Sequence, residues 1–206
     1  MTAEHIKGRV EISGGFFLLA AFLYYMDTDG LLLRVGLAAT VHELGHLLAI
    51  WALGGRVSRL RLTCVGAEMR LASSCPNGRM FRILTALAGP AAGLLLAAMA
   101  AQISPGGWSL AGISLSLSCF NLLPVAGLDG WRALSACLTS RWGRRALEMV
   151  SLLASGGLAA AGLWTMSGTG DPTLFVTGSW LLLSAVRQSG YFSQIPTCVP
   201  KQIMIN

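Results

Sequence analysis

Residues 41–46, Val41-His42-Glu43-Leu44-Gly45-His46, lie inside a long apolar segment and contain the pattern H-E-x-x-H. On a helix, His42 and His46 lie one turn apart on one face, where two imidazole nitrogens can bind one tetrahedral zinc ion. Glu43 lies at the flank of that face, so it is better placed to take a proton from water than to bind the metal. The pattern predicts a hydrolytic metal site.

The same pattern also occurs in unrelated proteins in which the histidines only pack or cap. The surrounding sequence favours the functional interpretation. Residues 31–53 are apolar apart from Arg34, Thr40 and the motif itself. Ionisable groups are costly in hydrocarbon, so their presence in such a segment indicates a function.

The composition is that of an integral membrane protein. Of the 206 residues, 54% are hydrophobic and 12% are charged, whereas soluble domains have about 25% charged residues. The mean hydropathy is +0.63. This length accommodates about six membrane spans with short loops. The net charge of +6 is spread over several loops, so we expect no binding to nucleic acid.

We predict an all-α polytopic membrane protein with about six transmembrane helices. The predicted spans are residues 12–26, 31–53, 80–102, 108–123, 146–166 and 173–186. Between the second and third spans, residues 57–71 alternate in polarity with one phase shift at Val65-Gly66, which predicts a short membrane-associated β-hairpin or strand pair. We assign residues 1–187 to a single intramembrane domain and residues 188–206 to a cytoplasmic tail.

The distribution of basic residues predicts the orientation. An even number of spans puts both termini on the same side of the membrane. If that side is the cytoplasm, every lysine and arginine except Arg34 falls in a cytoplasmic segment, as the positive-inside rule requires. Counting along the second span then places His42 and His46 toward the cytoplasmic third of the bilayer.

A catalytic zinc site needs a third protein ligand and one open position. The remaining histidine, His5, lies near the amino terminus, far from the motif in sequence. Asp129 is an acidic residue late in an otherwise apolar span, in a stretch that Pro124 and Gly127 prevent from forming a regular helix. Two interpretations of Asp129 stay open: a metal ligand, or the N-cap of the helix that begins near Trp131.

The H-E-x-x-H motif and the stretch Asn121-Leu122-Leu123-Pro124-Val125-Ala126-Gly127-Leu128-Asp129-Gly130 together resemble the paired signature of the site-2 protease family of intramembrane zinc metalloproteases. The compact six-span layout is similar to the stage IV sporulation protease branch of that family. The resemblance implies that His42, His46 and Asp129 bind one catalytic zinc ion and that Glu43 is the general base. It also implies that Asn121 helps to bind the substrate backbone or the oxyanion.

The resemblance further implies an endopeptidase that cuts a peptide bond in or next to a transmembrane segment of a membrane-associated regulatory protein, such as a sigma-factor precursor. The implied partners are a membrane-embedded protein substrate, the lipid bilayer, and a membrane-protein inhibitor or regulator. The implied location is the bacterial plasma membrane or a forespore-surrounding membrane. We expect neither a PDZ nor a CBS domain in this chain.

Two positions depart from the family pattern. Relatives often carry asparagine where this chain has Gly93, and proline where it has Gly127. Two other functions remain open: a catalytically inactive membrane scaffold or regulator of the same fold, and a small ion or proton transporter. Intact Glu43 argues against the first, and the lack of internal repeats argues against the second. The strand pair at 57–71 either binds an extended substrate along its edge or is a plain interfacial hairpin.

Overall fold

A computed structural model of the chain describes residues 9–27, 29–63, 66–72, 74–103, 107–193 and 204–205. Within these ranges the chain forms seven α-helices and four β-strands. In chain order they are β1 (Arg9–Ile12), α1 (Gly14–Met26), α2 (Leu31–Ala52), β2 (Val57–Thr63), β3 (Gly66–Leu71), α3 (Arg79–Ile103), α4 (Gly107–Asn121), α5 (Asp129–Cys137), α6 (Arg141–Thr169), α7 (Thr173–Ser193) and β4 (Met204–Ile205). The fold is mostly helical, as predicted, and its sheet has two strands more than the predicted strand pair.

Three of the described helices are long and apolar enough to cross a membrane: Leu31–Ala52, Arg79–Ile103 and Arg141–Gly168. The chain is therefore an integral membrane protein. Helices also occupy the other predicted spans, but α1 has 13 residues and α4 has 15. At about 1.5 Å per residue both fall short of the roughly 30 Å hydrocarbon core. The total of six spans stays a prediction.

Several helices begin or end at residues other than the bounds of the predicted spans. The first helix begins at Gly14 and not at residue 12, because Arg9–Ile12 are extended in β1. The helix predicted at 146–166 begins at Arg141, where the Ser140 side chain accepts a hydrogen bond from the amide of Gly143. Helix α7 runs to Ser193, so the start of the predicted tail is helical. Residues 194–203 of that tail lie outside the described residues.

The chain divides into two compact units. The first contains residues 1–121 and 201–206, and its four strands form one sheet in the order β1-β2-β3-β4. Strands β2 and β3 pair antiparallel, β1 adds parallel to β2, and β4 adds antiparallel to β3. The predicted phase shift falls at Val65-Gly66; Val65 lies outside the described residues, and Gly66 is the first residue of β3. A core of Ile50, Met69 and Phe81 fixes the sheet against α2 and α3.

Small residues let the helices of the first unit approach closely. A Cβ added at Gly45 of α2 would lie 2.6 Å from the Ala88 carbonyl oxygen and 2.7 Å from the Ala92 Cβ of α3. A Cβ at Gly93 of α3 would overlap the hydroxyl of Ser118 on α4. An asparagine at position 93, as in relatives, would therefore have to displace that buried serine. Gly93 is a packing adaptation between α3 and α4.

The second unit contains residues 122–200. Its helices α6 and α7 pack closely, because a Cβ at Gly178 would lie 2.5 Å from the backbone nitrogen of Ala159. A core cluster then joins the loop before α5, helix α5 itself, α6 and α7; its members are Ala126, Trp131, Leu147 and Ala185. This cluster packs the broken segment of the chain against two long helices.

The start of α2 is stabilised by an acidic side chain from the preceding turn. The Asp27 carboxylate accepts hydrogen bonds from the amides of Leu31 and Leu32 at 2.8 and 2.9 Å. These are amides at the helix start that have no partner within the helix. The bond from Leu32 is the largest of the effects that hold the pKa of Asp27 below its ordinary value. Helix α2 therefore begins with a charged cap.

We expect Asp27→Asn to lower the melting temperature of the detergent-solubilised protein at neutral pH, because the carboxylate stabilises the start of α2 through charge as well as hydrogen bonds. A depressed pKa means that this stabilisation is present above the ordinary aspartate pKa and is lost as the pH falls through the lowered one. Asp29→Asn in the same turn is the control. Equal melting temperatures for the two variants at pH 7 would contradict the capping role.

Candidate metal centre

Helix α2 brings the two motif histidines together on its buried face. His42 is 5% exposed and His46 is 2% exposed. Their Nε2 atoms lie 3.2 Å apart, with the rings nearly perpendicular at 79°. Two nitrogens bound to one tetrahedral zinc at about 2.0–2.1 Å are about 3.3 Å apart. The pair is therefore spaced for one metal ion, although the same spacing also suits a hydrogen bond between the rings.

A backbone carbonyl fixes the tautomer of His46. The tautomer determines which ring nitrogen presents a lone pair to His42. The Nδ1 atom of His46 lies 2.7 Å from the carbonyl oxygen of Thr85 on α3. That oxygen only accepts hydrogen bonds, so Nδ1 must carry the proton and donate it. In the neutral ring, Nε2 then has a lone pair available for a metal. Metal-binding histidines commonly have such a partner on the second nitrogen, which orients the ring.

The His46 ring fits against α3 because Gly89 has no side chain. A Cβ at Gly89 would overlap the Nε2 atom of His46 and lie 2.5 Å from its Cε1 atom. The next residue, Pro90, has no amide hydrogen and therefore weakens the helical hydrogen bonding of α3 at this turn. The small residues of this segment predict close helix contact from sequence. The contact of Gly89 with the Nε2 atom of His46 is visible only in the structure.

Glu43 follows His42 directly and is only partly buried. Its Oε2 atom is itself inaccessible to solvent. A carboxylate with one sheltered oxygen, adjacent in sequence to a metal-type histidine, is suited to accept a proton. The structure thus places three of the predicted site residues on a single helix. The third histidine, His5, lies outside the described residues.

Asp129 belongs to the second unit, where it is the first residue of α5 and 3% exposed. The N-cap position falls on Leu128, so the interpretation of Asp129 as the N-cap was wrong. The Asp129 Oδ1 atom accepts a charged hydrogen bond of 3.1 Å from the Arg132 guanidinium. An acidic side chain is rarely fully buried unless it is paired or binds a metal, and Arg132 provides such a pair here. The role of Asp129 as a metal ligand stays a prediction.

The predicted break in the fourth span is confirmed. Helix α4 ends at Asn121 and the next helix begins at Asp129. Gly127 has φ +99°, a conformation that proline cannot adopt because its ring fixes φ near −65°. The proline of relatives at this position would therefore not fit the loop as this chain folds it. The amide of Asn121 donates to the Leu117 carbonyl at 2.9 Å, and its role toward a substrate stays a prediction.

Comparisons with known proteins agree with this architecture. No protein-family model matches the chain. A protein named "Putative zinc metalloprotease Rip3", from two strains of Mycobacterium tuberculosis, is 33% identical over 137 residues, covering 60% of this chain and 34% of the relative. The chain thus spans about a third of the length of that relative. The solved structure of a site-2 protease from Methanocaldococcus jannaschii matches with a TM-score of 0.64 and 18% identity, covering 98% of this chain and 97% of that one.

The fold is thus that of a polytopic membrane protein of the site-2 protease type. The chain is thus similar to a site-2 protease in fold, and part of it is similar in sequence to a protein named as a putative zinc metalloprotease. The spacing of the two buried histidine nitrogens fits one metal ion. The sporulation branch and the sigma-factor substrate stay predictions.

Proposed function

We propose that this protein is a zinc-dependent intramembrane endopeptidase. The observation that carries the proposal is the buried pair of Nε2 atoms 3.2 Å apart, with the Nδ1 atom of His46 held by a carbonyl oxygen. In the proposed site His42, His46 and Asp129 bind one zinc ion and Glu43 is the general base. Asn121 binds the substrate backbone or the oxyanion.

Different residues of the chain have different roles in the proposed reaction. A bound zinc ion supplies a Lewis acid that polarises the scissile carbonyl and acidifies a water molecule. Glu43 takes the proton from the attacking water and returns it to the amine that leaves. The Thr85 carbonyl keeps the ring of His46 in one orientation. Burial of both histidines keeps their nitrogens from being hydrated by bulk water.

The proposed substrate is a membrane-embedded regulatory protein, cut in or next to its transmembrane segment. The long apolar helix that carries the motif supports this class, since a substrate must come to the same depth in the bilayer. The scissile segment has to unwind, because helical hydrogen bonds shield its carbonyl groups. We further propose cytoplasmic termini, a bacterial plasma or forespore-surrounding membrane, and control by a membrane-protein inhibitor or regulator.

The test combines metal content with cleavage. Purified full-length chain in detergent is expected to contain about one zinc per chain. It is also expected to cut at least one member of a set of single-span bacterial membrane proteins, with activity lost on chelation and restored by zinc. A chain that binds no zinc would overturn the metal assignment and favour a hydrogen-bonded histidine pair. Zinc binding without cleavage across the set would favour the inactive scaffold, and zinc-independent proton transport in vesicles would favour the transporter.

A further inference from the structure

We infer that Ser151 is a positioning residue, which fixes the loop that presents Asp129 through a single buried hydrogen bond. The inference rests on the proposed function, because it takes Asp129 to be a metal ligand. The hydroxyl oxygen of Ser151, on α6, accepts a hydrogen bond of 2.8 Å from the backbone amide of Ala126. Both residues are buried, Ser151 at 1% exposure and Ala126 at 3%. No sequence motif identifies this serine.

The loop between α4 and α5 needs such an anchor. Residues 122–128 lie outside any helix, and their amides cannot rely on a regular ladder of hydrogen bonds. One turn is closed by the Leu128 amide, which donates to the Val125 carbonyl at 3.0 Å. Gly127 sits inside that turn with φ +99° and gives the loop more conformational freedom than a proline would. The buried amide of Ala126, next to Gly127, is the group that Ser151 binds.

The anchored loop leads directly into the proposed ligand. Ala126 precedes Asp129 by three residues, and Leu128 is the N-cap of the helix that Asp129 begins. On the other side of the carboxylate, Arg132 donates to the Oδ1 atom at 3.1 Å. Ser151 therefore fixes the backbone before Asp129, and Arg132 fixes its side chain. Loss of a residue that orients a metal ligand without touching the metal commonly lowers metal affinity by about tenfold to a hundredfold.

The chain provides a matched control one helical turn away. Ser155 is also on α6 and is 0% exposed. Its hydroxyl donates to the carbonyl of Ser151 at 2.7 Å, a bond within the same helix. Replacing either serine with alanine removes one buried hydroxyl from α6. Of the two hydroxyls, only that of Ser151 accepts a hydrogen bond from the loop before Asp129.

The experiment measures zinc affinity of the full-length protein in detergent by competition with a chromophoric chelator. We expect Ser151→Ala to weaken zinc binding by about tenfold or more, and Ser155→Ala to change it by less than about threefold. Ser151→Thr and Ser151→Val have the same shape, so the first should keep the affinity and the second should lose it. Equal affinities for the alanine variants, or for the threonine and valine variants, would overturn the inference.

A double-mutant cycle separates positioning from general weakening of the fold. With Asp129→Asn as the background, Ser151→Ala should cause no further loss of zinc affinity, because the ligand it positions is already gone. An equal loss in both backgrounds would mean that the serine acts on stability alone. Thermal melting in the same detergent checks that each variant is folded at the assay temperature.

The outcomes also distinguish this inference from the proposed function. If Asp129→Asn loses both zinc and cleavage while the two alanine variants behave alike, the protease stands and the positioning role fails. If the cycle behaves as expected but the wild type cuts no substrate, the positioning role stands and proteolysis fails. If Asp129→Asn binds zinc as tightly as the wild type, Asp129 is not a ligand and the positioning role falls with it.

Discussion

Replacing Glu43 with glutamine is expected to leave zinc bound and to lower the rate of peptide hydrolysis by about a hundredfold or more. Glutamine has nearly the same size as glutamate, so the packing around α2 should not change. The amide cannot take a proton from water at neutral pH, whereas the carboxylate can. Zinc content and initial cleavage rates of the purified proteins, measured on one single-span substrate, give both quantities from the same preparation.

Glu148→Gln is the matched control, because Glu148 is another half-buried glutamate on a long helix, outside the proposed site. It should keep both zinc and activity. A Glu43→Gln protein that still cleaves at the wild-type rate would show that Glu43 is not the base. A variant that loses zinc together with activity would instead make Glu43 part of the metal-binding set.

Gly89→Ala is expected to lower zinc affinity by at least about tenfold, although alanine is the better helix former by about 1 kcal/mol. The added Cβ would overlap the His46 Nε2 atom, and we expect the ring to rotate away from Thr85 to relieve the overlap. Rotation breaks the hydrogen bond of His46 Nδ1 and moves Nε2 out of its position beside His42. Zinc content after dialysis and competition with a chelator measure the effect.

Gly36→Ala is the corresponding control on α2 itself. Apart from its chain neighbours and the nearby backbone of α2, no described residue lies within 4 Å of the place that a Cβ at Gly36 would take. This variant gains helix propensity without a clash, so its zinc affinity should equal that of the wild type. If Gly89→Ala binds zinc as tightly as Gly36→Ala, the packing of His46 on α3 does not matter for the metal.

The fold was predictable from sequence where local chemistry is sufficient. The low charge and the apolar runs identify a helical membrane protein, because hydrocarbon admits few other structures. Pro124 and Gly127 indicated that the chain breaks before Asp129, and the structure ends α4 at Asn121. The alternating residues 57–71 predicted a strand pair. Helix lengths were less predictable, because caps such as Ser140 extend a helix beyond its apolar part.

The four-stranded sheet was not predictable in full. Strand β1 pairs with β2 across about fifty residues of sequence, with Val10 opposite Leu60, and the two-residue strand β4 pairs with β3 from the far end of the chain. Pairings between distant segments leave no local pattern, because register depends on which edges meet in three dimensions. The N-cap assignment of Asp129 failed for a related reason, since the exact start of a helix depends on its surroundings.

The residue order alone supplies the reactive groups: two histidines one turn apart with a glutamate between them, and an aspartate after a broken span. The packing of the helices orients these groups. Thr85 gives His46 its tautomer, Gly89 leaves room for its ring, and Ser151 anchors the loop before Asp129. Spacing along one helix brings its own side chains together, whereas a carbonyl, a space or a hydroxyl on another helix becomes a partner only after the helices have packed.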